Sequence, residues 1–106
     1  MARPLVNVPK TVKRGENFDI RILISHIMES GQRRDEYGKQ IPRDIIHSFL
    51  CTYAGEEVFR ADFFPAIAAN PFLTFSARAV ETGQIVFTWT DDHGATAFDS
   101  VEIIVE

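Results

Sequence analysis

The sequence predicts an all-β fold, an immunoglobulin-like antiparallel β-sandwich of about seven strands. Short runs of alternating apolar and polar residues recur along the chain, turn-forming residues separate them at regular intervals, and no helical pattern of about ten residues or more appears. With 106 residues, 45% of them hydrophobic, the chain is long enough for one domain over residues 1–106 whose core needs no disulfide.

The N-terminal half contains the clearest strand pattern. Over residues 18–25 every second position is apolar: Phe18, Ile20, Ile22 and Ile24. A second strand is predicted over 47–53, and the turn residues 54–57 lead from it into a third strand over 58–62. We interpret these last two strands as a hairpin.

The C-terminal half predicts three more strands. Residues 72–79 and 85–90 are expected to pair around a turn at 81–83, and the turn at 91–94 leads into a last strand over 95–105. Between the hairpins, Pro65 followed by apolar residues and then by Asn70-Pro71 predicts a single helical turn over residues 65–69.

Charge and apolar content exclude several classes of protein. Lys and Arg number 11 against 15 Asp and Glu, a net charge of −4, and no basic cluster stands out, so no nucleic-acid partner is expected. The longest apolar runs are far shorter than the roughly 18 residues that span a bilayer, and residues 1–7 lack the apolar core of an export signal. No membrane partner is expected either.

The reactive residues form no recognisable catalytic or metal-binding set. Cys51 shares a strand face with Phe49 and Tyr53, which favours a core thiol, with a redox thiol as the alternative. The histidines, His26, His47 and His93, lie in separate segments, and Asp91-Asp92-His93-Gly94 is typical of a tight turn. We therefore expect no catalytic residues, no cofactor and no metal, and a protein that is not an enzyme.

Two segments depart from the strand pattern. Residues 28–42 are long for a connection in a compact domain and highly charged, so they form either a solvated hairpin extension or a partner-docking loop. Residues 63–72 place three Phe and one Ile in a connection that would normally be polar. They either cap the core or form an apolar docking patch.

Both segments resemble the SoxZ family. The resemblance includes Ser25-His26, Met28-Glu29, Gly31-Gln32-Arg33-Arg34-Asp35, Gly38-Lys39, Ile41-Pro42-Arg43 and residues 64–71, and it extends from Arg3-Pro4 to the end of the chain. One departure is Ile27, where the family is expected to carry Pro. Loss of that proline would loosen the exit from the preceding strand without changing the class of protein.

The resemblance implies a non-catalytic β-sandwich that forms a heterodimer with SoxY, whose C-terminal cysteine arm carries sulfur intermediates in thiosulfate oxidation. The clients of that arm would be a Sox cytochrome, a thiosulfohydrolase and a sulfane dehydrogenase. Because residues 101–106 contain no such arm, we expect this chain to be the partner and not the carrier. The resemblance also implies that the chain is exported to the periplasm together with a signal-bearing SoxY. Because some of its apolar surface is expected to be exposed, we expect the isolated chain to self-associate.

We predict that docking uses polar contacts and apolar burial together. The polar contacts would come from Arg33, Arg34, Asp35 and Arg43, and the apolar burial from Phe63, Phe64, Ile67 and Phe72. Two other hypotheses stay open: a free-standing immunoglobulin-like binding module, and a small redox or metal protein that uses Cys51 and the histidines.

Overall fold

The protein is an all-β sandwich of two sheets, seen in a computed structural model that describes residues 4–65, 67 and 69–106. Its strands are β1 (Leu5–Asn7), β2 (Thr11–Val12), β3 (Asn17–Leu23), β4 (Ile46–Tyr53), β5 (Glu56–Asp62), β6 (Phe72–Arg78), β7 (Gly83–Asp91) and β8 (Thr96–Val105). One sheet has the order β1-β3-β6 and the other the order β2-β8-β7-β4-β5. The described residues include no helix long and apolar enough to cross a membrane.

The alternation of apolar and polar residues predicted from the sequence corresponds to the buried and exposed faces of the strands. In β3 the side chains of Phe18, Ile20 and Ile22 are buried, while the residues between them are exposed. Side chains point to opposite sides of a strand at successive positions, so one face of each sheet packs inward and the other faces solvent. The fold class predicted from the pattern is confirmed.

Aromatic rings from both sheets fill the centre of the core. Phe49 of β4 lies 6.3 Å from Phe87 of β7 and 6.2 Å from Phe75 of β6, measured between ring centroids. Phe59 of β5 stacks on Phe75 at 4.3 Å. These contacts join β6 of the three-stranded sheet to β4, β5 and β7 of the five-stranded sheet.

The described residues form eight strands where the sequence predicted about seven, and their N-terminal segment divides between the two sheets. β1 pairs antiparallel with β3, whereas β2 pairs parallel with β8 of the other sheet. Pro9 lies between them, and a residue without a backbone N–H interrupts a hydrogen-bonded ladder. Neither strand was predicted, since each is too short to show an alternating pattern.

The predicted pairing of residues 72–79 with 85–90 is wrong. β6 pairs with β3, and β7 lies between β4 and β8, so the connection from β6 to β7 crosses from one sheet to the other. An alternating pattern identifies the buried face of a strand but not its neighbour, and a short connection suits either arrangement. The hairpins β4–β5 and β7–β8 are confirmed.

The helical turn predicted over 65–69 includes Ala66 and Ala68, which lie outside the described residues. Within the described part, the backbone N–H of Ile67 donates to the carbonyl of Phe64 at 3.0 Å, as in a tight turn.

Candidate partner interface

The two ends of the sandwich differ in how their strands are connected. At one end, the turn end, residues 13–16, 54–55 and 79–82 connect the strands. At the other end, the loop end, the connections are residues 24–45, 63–71 and 92–95. Both segments singled out from the sequence, and the turn at 91–94, therefore meet at the loop end.

Residues 28–43 form a hairpin extension with a defined base. Glu29 and Asp44 exchange backbone hydrogen bonds of 2.8 Å, and Arg34 pairs with Gln40 further out. Gly31 has a φ of +84°, and a Cβ there would lie 2.9 Å from Cβ of Arg43, so the base requires glycine. Of the two alternatives for this segment, the hairpin extension is what the structure shows, and such an extension also presents residues to a partner.

The predicted docking residues within this hairpin make contacts inside the chain. Arg33 Nε donates to both carboxylate oxygens of Glu29 at 3.1 Å. These hydrogen bonds and the charge of Arg33 hold the pKa of Glu29 below its ordinary value. Arg34 Nη1 donates to the carbonyl of Gly38 at 2.9 Å, and Asp35 Oδ1 accepts from the N–H groups of residues 37 and 39.

Arg43 connects the hairpin to the β7–β8 turn. Its Nε and Nη2 donate to the two carboxylate oxygens of Asp92 at 2.7 and 2.8 Å, and the N–H of Ile45 adds a bond of 3.2 Å. Burial alone would raise the pKa of Asp92, but these bonds outweigh it and lower the pKa below its ordinary value. The predicted polar residues thus fix the shape of the loop end, with their outer faces open to solvent.

The predicted apolar residues divide into two groups. Phe63 is only 7% exposed and belongs to the core, so its ring is not available for docking. Its backbone N–H donates to the carbonyl of His47 at 2.9 Å, which holds residue 63 beside the start of β4. Phe64, at 66% exposed, Phe72, at 61%, and Ile67 lie on the surface.

Sequence reasoning missed a row of apolar side chains beside Phe72. The sheet register places Leu5, Leu23 and Phe72 next to one another across β1, β3 and β6, on the outer face. We call these three residues the apolar row. Leu23 was recognisable, because the other outward positions of β3 are polar.

Exposed Ile27 lies at the same end of the sandwich as the apolar row. The N–H of His26 donates to Asn70 Oδ1 at 3.0 Å, the N–H of Asn70 donates to the carbonyl of His26 at 2.7 Å, and Ile24 bonds to Pro71. These bonds hold the segment around Ile27 against the residues that precede Phe72.

Cys51 lies in the core with no exposed surface. Burial raises the pKa of its thiol to about 12, so the thiolate that a redox or sulfur-carrying role requires is scarce at neutral pH. This geometry supports the core interpretation of Cys51 over a redox one.

Three residues that the sequence left separate meet at the loop end: His26, Asp44 and Asp91 offer ligand atoms within 4.8 Å of one another. His26 Nδ1 accepts the N–H of Met28 at 2.9 Å, so Nε2 carries the ring proton and faces Asp44 Oδ1 at 3.7 Å. A metal ion at Nε2 would have to displace this proton while Nδ1 stays a hydrogen-bond acceptor, which a neutral imidazole does not permit. His26 therefore lies beside Asp44 at the two ends of the 24–45 segment, at a distance longer than a hydrogen bond.

Comparison with known proteins gives one family and one fold. A family model described as "Sulphur oxidation protein SoxZ" matches residues 6–102. No curated protein sequence matches the chain.

Three solved structures illustrate the similarity of fold. Superoxide reductase (neelaredoxin) from Ignicoccus hospitalis has a TM-score of 0.75 and 18% identity, over 99% of this chain and 81% of that one. A putative superoxide reductase from Thermotoga maritima has a TM-score of 0.72 and 17% identity, over 97% and 85%. The sulfur carrier protein SoxY from Chlorobium limicola f thiosulfatophilum has a TM-score of 0.70 and 12% identity, over 97% and 78%. Identities this low show a shared fold alone.

Proposed function

Because the chain belongs to the SoxZ family and so acts in sulfur oxidation, we propose that it pairs with SoxY as the non-catalytic subunit of the SoxYZ sulfur carrier. The match over residues 6–102 is the observation that carries this proposal. In the proposed complex, the cysteine arm of SoxY holds the sulfur intermediate. This chain supports the arm and takes part in its presentation to the enzymes of the pathway.

The chemistry of Cys51 supports this division of labour. A covalent sulfur carrier needs a thiol that reaches solvent and ionises near neutral pH. Cys51 is the only cysteine of the sequence, it is fully buried, and its pKa is raised to about 12. The sulfur intermediate is therefore assigned to the partner.

We propose that SoxY docks at the loop end, with the apolar row and Phe64 as the buried contacts. Aromatic and aliphatic side chains that stay exposed on a small protein mark interaction sites, and their burial is the main source of affinity. Leu5, Phe64 and Phe72 are among the most exposed large apolar residues of the described chain.

The hairpin at 28–43 would give this docking its specificity. Glu29 holds Arg33 and Asp92 holds Arg43, so the hairpin offers a partner a surface that is already ordered. A preorganised loop loses less conformational entropy on binding than a free one. We propose that Arg33 and Arg43 contribute to docking through the exposed faces of these ion pairs.

The proposal extends to the clients and the compartment of the complex. Loaded SoxY would visit a Sox cytochrome, a thiosulfohydrolase and a sulfane dehydrogenase in turn, in the periplasm, after export of the pair through the signal of SoxY. Cell fractionation tests the last step: this chain is expected in the periplasm when it is co-expressed with signal-bearing SoxY, and outside it when that signal is deleted.

Co-expression of this chain with SoxY, followed by size-exclusion chromatography with mass detection, tests the pairing. We expect a one-to-one complex that survives high salt, because apolar contacts are not screened by ions. Phe72→Ser with Phe64→Ser should weaken the affinity at least tenfold, a loss of about 1.4 kcal/mol.

Phe98→Ser is the matched control, because Phe98 is a still more exposed phenylalanine on β8, in the other sheet. Its affinity for SoxY should equal that of the wild type. Failure of the wild-type chain to bind SoxY would overturn the proposed function. Equal losses in Phe98→Ser and in the double variant would overturn the assignment of the loop end.

A further inference from the structure

We propose that the outer edge of β6 is a homodimer interface, at which two copies of this chain pair their β6 strands antiparallel about a twofold axis at Phe75. The inference concerns the isolated chain and does not depend on its pairing with SoxY. It rests on an open strand edge, on the direction of the backbone groups along it, and on the self-complementary sequence of the strand.

β6 is the outermost strand of its sheet, and no strand among the described residues pairs with its outer side. Two hydrogen bonds that flank the strand show which backbone groups point outward. The N–H of Ile24 donates to the carbonyl of Pro71 at 2.9 Å, and the N–H of Ala79 donates to the carbonyl of Glu16 at 2.8 Å.

Both bonds continue the register of β3 with β6, in which bonded and non-bonded pairs alternate. The residues of β6 that bond to β3 are therefore Leu73, Phe75 and Ala77. The N–H and C=O groups of the other residues point away from the sheet, and these residues are Phe72, Thr74, Ser76 and Arg78.

The other sheet edges carry features that hinder pairing, and β6 does not. β5 has four charged residues among its seven, and a register shift in its pairing with β4 at Cys51 and Thr52. β1 and β2 have three and two residues. Charges, bulges and short length are the usual means by which an exposed edge avoids another strand. β6 has seven residues, no proline, a regular register with β3 and a single charge at its end.

The sequence of β6 is complementary to itself when Phe75 lies on the twofold axis. On the outer face Phe72 then lies opposite Arg78 of the second copy, where a guanidinium can pack on an aromatic ring. Thr74 lies opposite Ser76, a pair of hydroxyl side chains that can hydrogen-bond across strands. On the inner face large Leu73 lies opposite small Ala77, and no like charges face each other.

This register also agrees with the backbone. In this register two kinds of pair are hydrogen-bonded between the copies: Thr74 with Ser76, and Phe72 with Arg78. These four residues are the ones whose N–H and C=O groups point outward. Phe75 faces its own copy as a non-bonded pair, as the alternation requires.

The inner side chains of β6 show what pairing would cover. Leu73, Phe75 and Ala77 are only half-buried, whereas Phe18 and Ile20 of neighbouring β3 are buried. A second copy of β6 would continue the sheet and cover this half-buried flank.

Sedimentation of the isolated chain over about 5 to 500 µM tests the proposal, since dimerisation follows mass action. We expect a shift with concentration from the 12.0 kDa monomer to a dimer of twice that mass. Thr74→Pro removes an outward N–H without touching the bonds to β3, and it should weaken dimerisation at least tenfold.

Thr74→Val is the matched control, because it keeps the N–H and favours a strand, so it should dimerise like the wild type. If Thr74→Pro does not fold, Thr74→Lys with Ser76→Lys decides. These lysines face each other across the axis and should give a monomer at low salt. A wild-type chain that stays monomeric would overturn the proposal. So would a dimer that neither Thr74→Pro nor Thr74→Lys with Ser76→Lys weakens. Both outcomes count whether or not the chain binds SoxY.

Discussion

The two ends of this sandwich are closed in different ways. At the turn end, the hydroxyl of Tyr53 makes three hydrogen bonds to the 79–82 connection. It donates to the carbonyl of Glu81, and it accepts the N–H groups of Glu81 at 3.1 Å and Val80 at 3.3 Å. The β4–β5 turn beside it uses Ala54 and Gly55, both with positive φ, as the two-residue hairpin turn requires.

At the loop end the closing contacts are made by polar side chains from segments far apart in the chain. Arg43 pairs with Asp92, and Asp44 lies beside His26, while apolar side chains such as Phe64 and Phe72 stay in solvent. We infer from this difference that the turn end serves stability, whereas the loop end also serves binding. The connections at the turn end expose one large apolar side chain, Val80, and the loop end exposes several that a partner could cover, including Ile27, Phe64 and Phe72.

The largest expected effect on the free energy of unfolding concerns the core between the two ends. Phe49→Ala removes a ring that contacts both sheets, and we expect the free energy of unfolding to fall by about 3 to 5 kcal/mol. Urea denaturation followed by circular dichroism measures it. The control Phe98→Ala, on the surface, should stay within about 0.5 kcal/mol of the wild type. A loss below about 1 kcal/mol for Phe49→Ala would contradict the position of the core.

At the turn end, Tyr53→Phe keeps the ring and removes the hydroxyl, so the N–H groups of Val80 and Glu81 lose their acceptor. We expect a loss of about 1 to 2 kcal/mol. Tyr37→Phe is the matched control, since that hydroxyl is exposed at the tip of the hairpin and its removal should change nothing. Equal stabilities of the two variants would show that the hydroxyl of Tyr53 does not hold this end.

At the loop end, Asp92→Asn should cost about 1 kcal/mol at pH 7, because a partly exposed ion pair contributes little even with two hydrogen bonds. The folded pKa of Asp92 lies below its ordinary value of 3.8, so its contribution is present above that value and is lost as the pH falls through the folded pKa. The stability gap between wild type and variant should therefore close in strong acid.

Denaturant curves at several pH values between 2 and 7 measure this gap, with exposed Asp19→Asn as the control. A gap that stays constant with pH would contradict a charge-based role for Asp92. A gap larger than that of Tyr53→Phe would reverse the order of the two ends.

Much of the fold could be predicted because alternation along a strand reports burial directly. The partner of a strand is a non-local property, which is why β6 was assigned to β7 and not to β3. Two-residue β2 is too short to carry any pattern.

The candidate site was predicted by segment but not by contact. The exposed loops were found from their charged and aromatic composition. The contact of Arg43 with Asp92 spans 49 residues, and nothing local to either residue indicates it. Phe63 and Phe64 look alike in sequence, and only the fold shows that one ring is buried and the other exposed.

Hydrogen exchange of this chain, alone and bound to SoxY, tests the central claim that the loop end is the docking surface. We predict slower exchange in the complex for backbone N–H groups of residues 24–45 and 63–72, and unchanged exchange for residues 54–55 and 79–82. Slower exchange confined to the turn end, with the loop end unchanged in a complex of confirmed mass, would contradict it.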